Sequence, residues 1–228
     1  MRFARPRAKF KRVSAHPAPL PVRDFDPLSP ERRQRIVAGA AAIFIRDGYE
    51  GASMSQIAAA ASVSKGTLYN YFPSKQALFA AFVRQGCARL VEEIFGATED
   101  DDGAGDAHAQ LLRIGRAMLR MMVSADARAV YRVVVMEASK FPELAQAFVD
   151  SGPKILVGHM ADWLTRQILA GRLSAPDPVF AAEQFFALTQ ARIVPRARTN
   201  ADYLASDQEI DFVVQGAVRV FLAAYGRP

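Results

Sequence analysis

From Ser29 onward, apolar residues recur at intervals of three and four along almost the whole chain. This is the period of amphipathic helices. Alternating β-branched runs bounded by turn residues, which would indicate half-buried strands, are absent from the sequence. The pattern therefore predicts an all-α protein.

Capping residues predict where the first two helices begin. Ser29 with Pro30 opens a helix that Gly48 closes, because proline suits the first helical position and glycine suits the residue after the last turn. Ser53-Met-Ser-Gln56 has the form of a capping box, in which the serine and the glutamine satisfy each other's backbone amides. It predicts a second helix of barely two turns.

Two further helices follow closely. Ser64 can cap a short third helix, which Pro73 must end because proline disfavours helical geometry in the residue before it. Ser74 can cap a longer fourth helix that runs to about residue 95. The next segment, 96–107, holds glycine and acidic residues without an apolar face and is predicted to be a loop. Its aspartates at 100–102 could bind a cation, although a solvated acidic loop is the simpler interpretation.

The rest of the chain is predicted to be a helical body. Proline and glycine separate its helical segments, and a polar stretch at 195–206 separates the last two. These segments lie near 108–123, 126–139, 142–150, 153–170, 178–193 and 207–225. We predict a flexible basic arm at 1–29, a helix-turn-helix domain at 30–75 and an effector-binding and dimerisation domain at 76–228.

Charge is concentrated at the N-terminus. The net charge is +6, and residues 1–35 hold ten Lys/Arg against three Asp/Glu, so the rest of the chain is nearly neutral. The basic arm could contact DNA phosphates, or it could simply be a solvated terminus. Cys87 is the only cysteine, which excludes an intramolecular disulfide, and no apolar run approaches the roughly 20 residues of a membrane span. We expect a cytoplasmic protein without a membrane partner.

The third helix has the residues of a DNA-recognition helix. Two short helices joined by a tight turn form a helix-turn-helix, whose second helix enters the major groove. Apolar residues that can pack the pair together are Ile57, Ala58, Val63 and Leu68. Polar and aromatic residues are left for the outside, and the residues that could contact DNA are Ser53, Lys65, Gly66, Thr67, Tyr69, Asn70, Tyr71 and Lys75.

Each predicted contact has a physical reason. Gly66 allows close approach of the backbone, whereas Thr67 and Asn70 can contact base edges. Lysine and tyrosine side chains, together with the start of the fourth helix, can bind phosphates. Tyr69 could face the groove or pack in the core.

The stretch MSQIAAAASVSKGTLYNYFPSKQALFAAFV, within residues 31–83, resembles the DNA-binding domain of the TetR/AcrR family of bacterial transcriptional regulators. The family pattern V-S-x-G-x-L-Y-x-[HY]-F is matched at nearly every position, with Tyr71 where histidine is more usual. FPELAQAFVDSGPKILVGHMADWLTRQILAGRL and AVRVFLAAYG are similar to the C-terminal domain of an AefR-like subgroup. The resemblance implies a homodimer, a four-helix interface from the last two helices of each subunit, and repression of transcription. It also implies which residues contact operator DNA, namely Ser53, Ser64, Lys65, Gly66, Thr67, Tyr69, Asn70, Tyr71 and Lys75.

Two sets of residues in the body are candidates for further sites. The last two long helices carry more apolar surface than one core face needs, so dimer contacts are predicted at Phe180, Phe185, Phe186, Phe212, Val213 and Val220, unless they fill the monomer core. A pocket for an unknown small-molecule effector is predicted at Met118, Met121, Met122, Met136, Phe141, His159, Met160 and Trp163. The methionines could equally be ordinary core, and His159 could be satisfied within it.

An enzyme is not expected. The three histidines lie far apart in the sequence without metal-ligand spacing, and no glycine-rich phosphate loop follows a strand. We therefore predict no cofactor and no metal. The sequence predicts a DNA-binding regulator, with a helical ligand-binding or interaction protein that lacks operator binding as the alternative.

Overall fold

The computed structural model describes residues 29–95 and 106–227, so that all but the last residue of the predicted arm at 1–29 and most of the acidic loop lie outside these ranges. The described residues form helices joined by short turns, with one isolated β-bridge between Leu173 and Gly226. This confirms the all-α prediction. The helices are α1 (Pro30–Gly51), α2 (Met54–Ala60), α3 (Lys65–Tyr71), α4 (Lys75–Phe95), α5 (Ala107–Val123), α6 (Ala125–Glu137), α7 (Pro142–Ser151), α8 (Pro153–Leu169), α9 (Pro178–Gln190), α10 (Ile193–Thr199) and α11 (Asp207–Tyr225).

Local capping explains most of these boundaries. Ser53 and Gln56 form the predicted capping box at the start of α2, and the Ser64 hydroxyl accepts a hydrogen bond from the amide of Thr67 at the start of α3. Gly48 interrupts α1 with a φ of 73°, but one more helical turn follows it before the chain enters α2. The predicted end of α1 is thus a kink, because glycine adopts positive φ without the strain that a Cβ would cause.

One core joins the first four helices to the body. We call it the N-terminal core; it is built on α1–α4, and α6 and α7 add Val134 and Leu144 to it. The first turns of α4 also contribute, through Leu78 and Phe79. The packing therefore continues beyond residue 75, and the predicted domain boundaries stay a prediction. Other large buried side chains of this core are Ile36, Ile43, Phe44, Ile57 and Leu68.

A second cluster, which we call the body core, fills the space between the end of α4 and helices α5, α8, α9 and α11. Trp163 lies inside it with 1% of its surface exposed. Its indole Nε1 donates a hydrogen bond to Gln110 Oε1 at 2.7 Å, which satisfies the buried polar end of the ring. None of the helices in the described ranges is both long and apolar enough to cross a bilayer.

The sequence did not predict helix α10. Residues 195–206 were expected to separate two helices, but Ile193–Thr199 form two turns with Ile193, Val194 and Ala197 buried. Pro195 lies in the first turn, where its missing amide hydrogen costs no helical hydrogen bond. The apolar face of α10 has only three residues within a mostly polar stretch, which is too few to predict a helix from the sequence.

Candidate nucleic-acid interface

A tight turn sets the positions of α2 and α3. The amides of Ser62 and Val63 donate to the carbonyls of Ala59 and Ala58, both at 3.0 Å, and Ser62 has a positive φ of 54°. Leu68 is fully buried in the N-terminal core and anchors the inner face of α3. The predicted helix-turn-helix packing is therefore present, and the opposite face of α3 points away from the protein.

The outer face of α3 is formed by polar and aromatic side chains. Lys65, Gly66 and Asn70 are exposed, and Tyr71 is partly exposed where it packs against the N-terminal core. Tyr69 is 44% exposed, so it lies on the outer face and not in the core. The structure thus brings most of the predicted DNA-contacting residues of α3 to one surface, although their contacts with DNA stay predictions.

The hydroxyl groups predicted to contact DNA are engaged at helix starts. Ser64 Oγ and Thr67 Oγ1 lie 2.8 Å apart and share a hydrogen bond, which leaves the threonine methyl group as the free part of that side chain. Ser53 Oγ accepts from the amide of Gln56 at 3.2 Å and donates to its Oε1 at 2.6 Å. Both serines therefore have a capping role in the free protein.

Lys75 differs from the other predicted contacts. Its Nζ donates to the backbone carbonyls of Tyr49, Ala52 and Glu50, at 2.6, 3.0 and 3.4 Å, and lies 4.5 Å from the centre of the Tyr49 ring. The pKa of Lys75 is lowered, mainly because burial removes water from the ammonium. The expected phosphate anchor is thus bound within the protein.

Sequence reasoning missed a basic residue beside α3. The guanidinium carbon of Arg33 lies 5.2 Å from the centre of the Phe72 ring, and Phe72 is the residue that ends α3. Arg33 is exposed and adds positive charge at the C-terminal end of the recognition helix. The only sequence signal was the cluster of arginines early in α1, which is also typical of a solvated face.

The residues predicted to line an effector pocket are not all brought together. Met118 and Met160 are buried with Trp163 in the body core, and Met121 and Met122 pack against it. The structure contradicts the prediction for two other residues. Met136 is 75% exposed, and Phe141 belongs to the N-terminal core, where its ring packs edge-on against Tyr49 at 5.3 Å.

A surface cleft of about 470 Å³ lies between α4 and α8. His159 lines it and stacks on Phe95 with 5.8 Å between ring centres, so this histidine faces the cleft and is not a core residue. No pattern in the sequence indicated the α4 side of the cleft. Its lining residues are Arg84, Ala88, Val91, Glu92, Phe95, Ile155 and His159.

The predicted dimer residues divide into two groups. Phe180, Phe212 and Val220, on α9 and α11, are each more than half exposed and remain candidates for an interface. The other three are core residues, and the alternative that they fill the monomer is the correct one for them. These are Phe185, Phe186 and Val213, which are between 0% and 8% exposed and belong to the body core.

The fold and the site define the class of the protein. A helix-turn-helix with an outward-facing recognition helix, carried on a larger helical body with an exposed apolar face, is the architecture of a dimeric DNA-binding regulator.

Comparison with known proteins shows the family. Residues 36–82 match the model of the bacterial regulatory proteins of the tetR family, and residues 109–227 match that of the AefR-like transcriptional repressor C-terminal domain. The chain belongs to the TetR family, as its motifs predicted, and it is a DNA-binding transcriptional regulator and not an enzyme.

Individual relatives agree with this assignment. The chain is 25% identical over 187 residues to the HTH-type transcriptional repressor AcnR of Corynebacterium glutamicum, covering 82% of this chain and 92% of AcnR. It is 30% identical to KstR of Mycolicibacterium smegmatis over 171 residues, covering 63% and 82% of the two chains. A TetR-family regulator from Mesorhizobium loti superposes with a TM-score of 0.76 at 25% identity, covering 86% and 98% of the two chains. The flavonoid-responsive regulator FrrA superposes with a TM-score of 0.70 at 28% identity, covering 87% and 98%.

Proposed function

We propose that this protein is a homodimeric repressor that occupies a palindromic operator and leaves it when a small-molecule effector binds the helical body. The observation that carries this proposal is the outer face of α3, where Lys65, Tyr69 and Asn70 are exposed while Leu68 anchors the helix. A helix of two turns gains no stability from such side chains, so their placement favours a ligand outside the protein. In a helix-turn-helix protein, this face of the second helix contacts the major groove of DNA.

The residues of α3 have separate proposed roles. Asn70 and the methyl group of Thr67 would contact base edges, since an amide pairs with adenine and a methyl group packs on thymine. Lys65 and Tyr71 would bind phosphates and set the position of the helix in the groove. Ser53 and Ser64 would present the amino-terminal ends of α2 and α3 to the DNA backbone.

Gly66 supports close approach to DNA. A Cβ added at this position would meet only Ser64 Oγ, at 3.8 Å, which is ordinary van der Waals contact. The fold itself therefore does not require glycine at residue 66, and alanine would favour the helix by about 1 kcal/mol. The absence of a side chain leaves room for a DNA surface to approach the backbone of α3 closely.

The exposed apolar face of α9 and α11 supports the dimer. Phe180, Phe212 and Val220 are large apolar side chains that water contacts in the isolated subunit, and burying them against a second copy is favourable. Two recognition helices would then reach half-sites about 34–36 Å apart, or a multiple of that spacing.

The effector is proposed to bind the body. FrrA is named as flavonoid-responsive, and the cleft between α4 and α8 here combines Phe95 and apolar side chains with Arg84 and His159. An aromatic molecule with a polar group suits that lining. Binding would favour a subunit arrangement in which the recognition helices no longer match the half-site spacing.

The test measures the affinity of the protein for the DNA upstream of its own gene, by fluorescence anisotropy at a series of salt concentrations. Asn70→Ala should cost about 1–3 kcal/mol on the operator and little on random DNA, because it removes a base contact. Lys65→Ala should weaken binding to both DNAs and lower the log-log salt slope by about 0.9. Arg89→Ala, at an exposed position of α4 remote from α3, is the matched control and should change neither.

The outcomes separate the two candidate functions. Specific binding of the wild-type protein with the Asn70 effect supports the repressor. If no natural upstream fragment is bound at low salt by the folded protein, the alternative of a helical ligand-binding or interaction protein is favoured instead.

A further inference from the structure

The ammonium group of Lys75 is saturated by the protein's own backbone. An ammonium has three hydrogens to donate, and three carbonyl oxygens, those of Tyr49, Glu50 and Ala52, lie within 2.6–3.4 Å of Nζ. The face of the Tyr49 ring provides a further favourable contact at 4.5 Å from the ring centre. To contact a phosphate, Lys75 would have to give up some of these partners.

These carbonyls are a natural site for a cation. They belong to the segment after the Gly48 kink, where α1 ends and its last carbonyls have no partner further along the helix. Carbonyl oxygens at a helix end carry partial negative charge, and a lysine that binds them stabilises the end. The carboxylates of Glu50 and Glu137 add to the field at Lys75.

The hydrogen bonds of Lys75 join two segments that lie on opposite sides of the helix-turn-helix in the sequence. Lys75 is the first residue of α4 and lies four positions after Tyr71, the last residue of α3, whereas Ala52 directly precedes the cap of α2. One side chain therefore joins the segment before α2 to the segment after α3. It ties the start of α4 to the end of α1, on either side of the helix-turn-helix.

The same backbone segment also contacts the body. Lys140 Nζ binds Glu50 Oε2 at 2.7 Å, and the amide of Glu50 donates to Glu137 Oε1 at 3.4 Å. The Tyr49 ring packs edge-on against Phe141. The segment that Lys75 binds is thus fixed from the side of α6 and α7 as well.

We propose that Lys75 is a positioning residue of the DNA-binding unit, which holds the recognition helix in place through the carbonyls of residues 49, 50 and 52, and that it is not a phosphate anchor. The inference rests on the proposed function, because operator binding is its main measurement. It replaces the role that the sequence pattern suggested for this lysine.

The experiment compares Lys75→Met with Lys65→Ala in the full-length protein. Methionine keeps much of the apolar stem and removes all three donors. For Lys75→Met we expect the operator affinity to fall about tenfold or more, with random DNA affinity and the salt slope unchanged. For Lys65→Ala we expect affinity for both DNAs to fall and the salt slope to drop by about 0.9.

Urea denaturation of the same variants gives an independent measurement. Lys75→Met should lower the urea midpoint, whereas Lys65→Ala, at an exposed position, should leave it unchanged. If Lys75→Met does not fold, Lys75→Gln retains two amide donors and should give the same changes to a smaller extent.

A drop in salt slope of about 0.9 with equal loss on both DNAs would identify Lys75 as a phosphate anchor and overturn the proposal. Unchanged operator affinity and an unchanged midpoint would also overturn it. Should the wild-type protein bind no DNA, the proposed function fails, while the urea midpoints still decide whether Lys75 holds this part of the fold.

Discussion

Gly39 lies on α1 directly against Ala61 at the end of α2, and its substitution tests how closely α1 must pack on the helix-turn-helix. A Cβ added at Gly39 would lie 3.0 Å from the backbone nitrogen of Ala61 and 3.2 Å from its Cα and Cβ. Ala61 ends α2, so its backbone cannot move without moving the turn into α3. Gly39→Ala should therefore push α2 and α3 away from α1 by a few tenths of an ångström.

The magnitude follows from two opposing effects. Alanine favours a helix over glycine by about 0.8–1.0 kcal/mol, whereas overpacking a well-filled contact costs about 1–3 kcal/mol. Gly86 provides the matched control, because it is an exposed glycine inside α4 where an added Cβ would meet nothing within 4 Å beyond its chain neighbours and the backbone of its own helix. Gly86→Ala should show the helix-propensity gain alone. The difference in unfolding free energy between the two variants then measures the contact, at about 1–3 kcal/mol.

The assay is urea denaturation followed by circular dichroism, with the fluorescence of Trp163 as a second probe. This is the only tryptophan of the chain and lies in the body core, so it reports on a different part of the protein from Gly39. Operator affinity should fall for Gly39→Ala and not for Gly86→Ala, since the recognition helix is displaced only in the former. If Gly39→Ala is as stable as Gly86→Ala and binds the operator equally well, the contact between α1 and α2 does not constrain the recognition helix.

Three further outcomes are expected. Trp163→Phe removes the donor to Gln110 and should lower the free energy of unfolding by about 1–3 kcal/mol, measured by circular dichroism; an unchanged urea midpoint would contradict this. Phe212→Glu should shift the protein toward monomers in sedimentation without unfolding it, because Arg192 lies 5.6 Å from that ring and can pair with the carboxylate; an unchanged dimer would exclude this face as the interface. Burial raises the pKa of the Cys87 thiol from 9.0 to about 11, so its contribution to stability is complete below pH 9 and is lost as the pH rises through 11. A thiol reagent should accordingly react slowly with the native protein at pH 9, and a rate equal to that of the unfolded chain would refute the shift.

Much of the helical architecture could be predicted because its signals are local. Ser53 and Ser64 cap α2 and α3 where the sequence indicated, and Pro73 ends the recognition helix through its effect on the preceding residue. The outer and inner faces of α3 also followed from the sequence, since Leu68 is its only fully buried side chain. The motif that carries these residues was sufficient to predict the family.

The residues of the body could not be assigned in this way. Apolar periodicity shows that a helix has an apolar face, but it does not show which neighbour covers that face. Phe180 and Phe185 lie on the same helix, yet the first is 53% exposed and the second fully buried. Met136 and Met160 are equally apolar, and only the packing of α6 and α8 places one in solvent and the other in the core.

By itself the sequence determined most of the helices, the capped starts of α2 and α3 and the outward-facing residues of α3, because these depend on groups a few positions apart. The tertiary structure alone decided the partner of Lys75. Its carbonyl acceptors lie 23–26 positions earlier in the chain, and no local pattern distinguishes a lysine that binds them from one that binds a phosphate. Only the packing of α4 against the end of α1 brings the ammonium to those oxygens, and that packing is fixed by the core as a whole.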